Sequence, residues 1–267
     1  MEFLKLVRRR SFLNEVVYIG LNIALAVGML LIIRATNSLL PAFALILISK
    51  WRTLAVRPRY WFANVQSDLV SVIINIGFAV FLYNTNTAGL DAATTLITQL
   101  ILTAIYTVWL LFLKSQSKRK YVVMQAGVAL FVGITAIYMM SYGWSASLVV
   151  LLVWLVGYAT ARHVLNTYDD ESHLLLLSLI WGLVLAEIGW LAYHWTIAYK
   201  LPIVSNILLP QVSIVMLCLG FLAYKSYNSY YHYKKVRMID IVLPLIFTAG
   251  VVSLLVIAFN GVSIGSI

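Results

Sequence analysis

Glu187 is the residue in this sequence best placed to do chemistry, because it is the only carboxylate well inside a long apolar run. If residues 173–195 form a helix, Glu187 lies about 21 Å from one end and about 12 Å from the other. An ionised carboxylate at that depth in hydrocarbon costs several kcal/mol unless it is paired or wetted. It is therefore expected to face neighbouring helices. Trp190 and His194, three and seven residues on, share its helix face. Asn75, Gln99, Asn206 and Gln211 fall at a comparable depth, roughly 8–15 Å from the ends of their own runs, which predicts a buried polar layer. Two roles are open for Glu187. It is either a neutral acid hydrogen-bonded to a nearby amide or to Arg34, fixing helix packing, or an ionisable group in a solute or proton pathway.

Other patterns carry less chemistry. Gly143-Trp-Ser145-Ala-Ser147 superficially resembles the surroundings of an intramembrane nucleophilic serine, but Ser145 sits at the mouth of its helix rather than in a cavity at depth. His163, Asp169, Asp170, Glu171 and His173 crowd into one connection. Three acids just before a helix are expected to cap its free N–H groups, and their spacing matches no metal motif. No lysine lies in mid-span, which excludes a retinal Schiff base. No phosphate-binding glycine loop or zinc-protease motif occurs. The single cysteine, Cys218, offers neither an intrachain disulfide nor a thiolate cluster. We therefore expect no enzyme, no cofactor and no metal.

Basic and aromatic side chains interleave in two connections. Residues 50–64 carry Arg52, Arg57, Arg59 and Trp61, and residues 225–237 carry four basic residues among four tyrosines. Beside apolar runs, Tyr and Trp settle at the headgroup level while Lys and Arg favour anionic lipid headgroups. The net charge of +10 is thus read as membrane contact rather than nucleic-acid binding. Arg52, Arg57, Arg59 and Trp61 are the candidates for docking lipid headgroups or other membrane proteins.

The elements that must position these residues are membrane helices. Only 10% of the 267 residues are charged and 63% are hydrophobic, far from the balance of a water-soluble domain. Apolar runs match the bilayer thickness at roughly 16–35, 36–50, 66–83, 93–113, 121–141, 144–161, 173–195, 201–224 and 237–259. Nine runs leave no segment for a soluble domain, so residues 1–267 are read as one transmembrane domain. Basic residues support the count. With the N-terminus inside and the C-terminus outside, only Arg34 and Lys200 of the 19 Lys and Arg residues fall on the outer side. The 36–50 run is short, but a re-entrant hairpin there would break this pattern in every later loop, whereas snorkelling of Arg34 and Lys50 accommodates a short crossing. Pro210 and Pro244 inside their runs predict kinks.

Two segments carry a resemblance. The run Lys50-Trp-Arg-Thr-Leu-Ala-Val-Arg-Pro-Arg-Tyr-Trp-Phe-Ala-Asn64, with Trp181-Gly and Ala186-Glu-Ile-Gly-Trp-Leu-Ala-Tyr-His-Trp195, resembles a family of uncharacterised multi-pass inner-membrane proteins of Patescibacteria (Saccharibacteria-like) bacteria. That resemblance implies a bacterial inner membrane and no particular activity. The sequence thus predicts an all-α, polytopic helix bundle. Its function is read as a non-enzymatic scaffold or complex subunit, or alternatively as a small-solute or proton-coupled transporter using Glu187.

Overall fold

The computed structural model describes residues 2–51, 61–168, 171–195, 197–200 and 208–258. These residues form nine α-helices: α1 (Glu2–Thr36), α2 (Leu40–Ser49), α3 (Trp61–Thr87), α4 (Ala92–Val108), α5 (Arg119–Met140), α6 (Ala146–Leu165), α7 (Leu174–His194), α8 (Gln211–Tyr233) and α9 (Met238–Ala258). A π-helical turn, Trp109–Leu113, extends α4. Strands β1 (Ala198–Lys200) and β2 (Leu208–Pro210) pair antiparallel, with Tyr199 opposite Leu209. In hydrocarbon every backbone group must find its partner within the chain, and helices achieve this segment by segment. Seven of the nine helices are long and apolar enough to cross a membrane; α2 and α8 are the other two.

Those two depart from the sequence expectation in different ways. The expected 201–224 run is displaced, because residues 208–210 are a strand and the helix begins only at Gln211. Pro210, with φ −63° and ψ 130°, lacks an N–H and sits just before α8 as its cap residue rather than kinking it. The basic, tyrosine-rich segment that follows is no loop either. Residues 225–233 continue α8 for about two and a half turns, and their polar side chains lower its hydropathy.

Helix α2 has ten residues and is about 15 Å long, half the hydrocarbon thickness. Its flanks, however, are pinned at two levels. The chain reverses after α1 at Asn37, which adopts a left-handed φ of 47°, and Asn86 Nδ2 donates to Asn37 Oδ1 at 2.9 Å. At the other end, Lys50 Nζ lies 2.9 Å from Asp68 Oδ1 and 3.0 Å from Ser71 Oγ. Asp68 and Asn86 are eighteen residues, or about 27 Å, apart along α3. The short helix and the turn that leads into it thus run between the two ends of the apolar window of α3.

Packing rests on small residues, as expected where lipid is as apolar as the helix surfaces. At the crossing of α6 and α7, a Cβ on Gly157 would lie 3.0 Å from Gly182 Cα, one on Gly182 3.0 Å from the Trp154 carbonyl oxygen, and one on Gly189 2.9 Å from Val153 Cγ1. Gly77 and Gly133 allow α3 and α5 to meet in the same way, against Val132 and Ile73. Helix α5 is the most enclosed of the membrane-length helices and separates two apolar cores. One is built around Met29, Ile33, Ile74 and Leu110, the other around Ile134, Val153, Leu185 and Met216.

Candidate functional site

Glu187 does not face the bundle. It is exposed on the outer side of α7, among Leu183 and Leu191, each 55% exposed, and Trp190, 51% exposed. The expectation that it points at neighbouring helices is corrected by the small-residue stripe of its own helix. Ser178, Gly182, Leu185 and Gly189 recur at helical spacing and are buried. At about 100° per residue, Glu187 lies about 160° around the axis from both Leu185 and Gly189. A helix that must turn its glycines towards α6 therefore turns Glu187 away.

The shared face read from the spacing is present. The Trp190 and His194 rings meet edge to face at 4.9 Å, and His194 is exposed as well. Beside them runs a shallow furrow between α6 and α7, lined by Ser147, Val150, Trp154, Leu183, Ala186 and Trp190. Among the described residues Glu187 makes no hydrogen bond or ion pair. Arg34, the partner considered from sequence, is exposed on α1. That helix packs on α2, α3 and α4, whereas α7 packs on α6.

The polar side chains at comparable depth are not one layer. Asn75 and Gln99 are fully buried between α3 and α4. Tyr106 Oη donates to Asn75 Oδ1 at 3.0 Å, while Gln99 Nε2 donates to the Leu82 carbonyl at 3.3 Å and approaches Asn86 Oδ1 at 3.5 Å. Seven residues along α3 match seven back along α4, so these bonds fix the register of an antiparallel pair two turns apart. Gln211 is buried at the start of α8, and its backbone N–H donates to the Ile197 carbonyl at 2.8 Å beside the β pair. Asn206 lies outside the described residues, as do Arg52, Arg57 and Arg59; Trp61 begins α3.

One cluster escaped sequence reasoning. At the end of the bundle marked by Lys50, the Lys50–Asp68 ion pair is joined by Lys114, whose Nζ lies 3.5 Å from Asn22 Oδ1. The π-helical turn delivers Lys114 here, its N–H bonded to the Trp109 carbonyl five residues back. The only sequence signal was that Asp68 is an acid at the edge of an apolar run. Desolvation, together with the nearby charge of Lys50 and against the pull of Asp68, pushes the Lys114 ammonium down from 10.5 to about 8.

Below pH 8 both folded and unfolded chains hold this proton, and the folded state carries the whole burial penalty. Between pH 8 and 10.5 only the unfolded chain keeps it, so stability rises with pH. Lys114→Met is accordingly expected to stabilise the protein at pH 7 by about 1–3 kcal/mol. The gain should shrink as pH climbs through that window. Thermal unfolding in detergent at pH 7 and pH 10 checks it, and an equal gain at both values would contradict the assignment.

Of the three acids expected to cap α7, Glu171 is the one among the described residues, and His163 lies in the last turn of α6. His163 bonds to Gln125 Oε1 at 2.8 Å. Glu171 Oε1 accepts from the His173 N–H at 2.9 Å, just ahead of α7, and Glu171 Oε2 accepts from Tyr227 Oη. Asp169 and Asp170 lie outside the described residues. These bonds hold the Glu171 carboxyl below its ordinary range, the Tyr227 bond foremost. Beside them, Arg119 lies 4.2 Å over the Tyr168 ring and donates to the Thr167 carbonyl at 2.9 Å. Among the described residues, no three His, Cys, Asp or Glu side chains gather as a metal site would require.

Membrane-length apolar helices packed through glycines, with a carboxylate on an outer helix face, define an all-α, multi-pass membrane protein. No protein-family model, curated protein or solved structure matches the chain.

Proposed function

We propose that this protein is a non-enzymatic subunit or scaffold of a membrane assembly, and that the outer face of α7 binds a partner helix. The observation that carries the reading is the exposed Glu187 within an apolar membrane-length helix, without a partner of its own among the described residues. A carboxyl facing acyl chains is strongly disfavoured, and a partner helix offering an amide, hydroxyl or basic group at that depth removes the penalty. Trp190, His194 and the furrow beside α6 supply a contact face of the right shape and polarity.

The chain is proposed to cross the membrane nine times, N-terminus inside and C-terminus outside. The Lys50–Asp68 and Asn37–Asn86 contacts at either end of α2 support its crossing, and the basic end then faces the cytoplasm by the positive-inside rule. The resemblance noted above favours a bacterial inner membrane. Proton-coupled transport through Glu187 is less well supported, since it requires water to reach that carboxyl from within the bundle.

The test places a photocrosslinking side chain at Leu183 in native membranes. We expect one protein adduct of defined mass, lost in Glu187→Ala and kept in Glu187→Gln, which retains hydrogen-bonding capacity. Lipid adducts alone, unchanged by either substitution, would overturn the reading.

A further inference from the structure

A second feature lies away from Glu187 and is independent of it. Helices α7 and α8 touch only sparsely, and between them, floored by α5 and α6, lies a cavity of about 350 Å³. Leu130, Val164, Leu177, Trp181, Leu217 and Phe221 give it an apolar lining. The lining on α8 runs from Leu217 to Tyr227, about 15 Å. Its polar members are few: Thr160 donates its hydroxyl back to the Val156 carbonyl at 2.9 Å, Tyr227 donates to Glu171, and Tyr224 lies one turn before Tyr227, in the half of α8 nearer the basic end. The interior therefore calls for hydrocarbon. Ile180 and Phe221, 49% and 42% exposed, flank the opening on the outer surface of the bundle, so the cavity communicates with the bilayer. Left empty, its walls would forgo dispersion attraction on that side.

One side of the rim is basic. Lys225 Nζ lies 5.7 Å from the centre of the Phe221 ring at the opening, while Arg119 stands further back, over the Tyr168 ring that packs edge to face on Tyr227 at 4.9 Å. Among the described residues neither cation is paired with a carboxylate; the two ion pairs present are Lys50–Asp68 and Arg237–Asp240. The neighbouring Glu171 carboxylate is engaged by Tyr227 and by the His173 N–H. Lys225, Arg119 and the apolar cleft thus lie at the same end of the bundle, the end carrying most of its basic residues.

We propose that this cleft holds one acyl chain of an anionic glycerophospholipid from the leaflet at the basic end, with Lys225 at the headgroup phosphate. An ordinary surface lipid at this basic end would share a diffuse preference for anionic headgroups that neither saturates nor depends on Lys225. A site with one well-placed lysine should show about a fivefold preference, from the roughly 1 kcal/mol that each basic group adds near an anionic surface.

The test uses Trp181 as the reporter. The protein is reconstituted in vesicles in which either phosphatidylglycerol or phosphatidylcholine carries brominated acyl chains, at matched mole fractions, and the Trp181 signal is isolated by difference from Trp181→Phe. We expect brominated phosphatidylglycerol to quench Trp181 saturably, at about a fivefold lower mole fraction than brominated phosphatidylcholine. Lys225→Gln, which leaves the lining intact, should remove most of that preference, and Ala223→Phe should abolish the saturable component by filling the cleft. Equal quenching by both lipids, no quenching by either, or a preference that survives Lys225→Gln would overturn the proposal.

Discussion

Gly182→Leu is expected to destabilise the folded protein by about 3 kcal/mol or more, so that most of the variant loses its native α6–α7 hairpin in detergent. The obstacle is backbone. A Cβ at position 182 would stand 3.0 Å from the Trp154 carbonyl oxygen and 3.1 Å from Trp154 Cδ1 and Nε1, while Gly182 Cα itself is the nearest neighbour of a Cβ on Gly157. No rotamer relieves a clash with the opposite main chain, so the helices must separate. Without a hydrophobic drive between helices in lipid, close van der Waals packing is what holds them together, and separation removes it. Gly250 provides the control, because a Cβ there meets nothing within 4 Å, and Gly250→Leu should leave the unfolding midpoint within the range of a surface change. The measurement is thermal unfolding followed by size-exclusion elution. Equal behaviour of the two variants would mean that the α6–α7 crossing is not a tight backbone contact.

Asp68→Asn is expected to cost about 2–3 kcal/mol at pH 7, through charge rather than packing. The side chain of Lys50 is 13% exposed and that of Asp68 32%. Removing the carboxylate leaves the Lys50 and Lys114 ammonium groups near each other in a poorly hydrated corner without their counter-ion. Asp68 is also the charge that holds the Lys114 ammonium up, so its loss should push that group further down. The double variant Asp68→Asn, Lys114→Met should then recover more stability than Lys114→Met adds on its own, giving a positive coupling in a double-mutant cycle. Additive effects would show that the three groups do not share one electrostatic site.

The sequence by itself determined the solvent, the class and most of the helices. Their apolar lengths match a bilayer, and length and composition are properties of each segment alone. The same holds for the shared face of Glu187, Trp190 and His194, which follows from the helical repeat. Where it erred locally, strand pairing decided: Pro210 ends a strand and precedes α8 because residues 208–210 pair with 198–200, a pairing that no hydropathy window contains.

Tertiary structure decided which way each helix turns. Apolar side chains surround every membrane helix, so the hydrophobic pattern that orients a helix in a soluble protein is missing. The deciding residues are glycines, whose role shows only when a second backbone lies against them. Gly157, Gly182 and Gly189 turn Glu187 outward, and Gly77 and Gly133 bring α3 onto α5. The Lys50–Asp68–Lys114 cluster likewise depends on α2 returning to the basic end and on a π-helical turn swinging Lys114 towards α1. Residues 18, 46 and 64 positions apart meet there, at separations that local spacing cannot read.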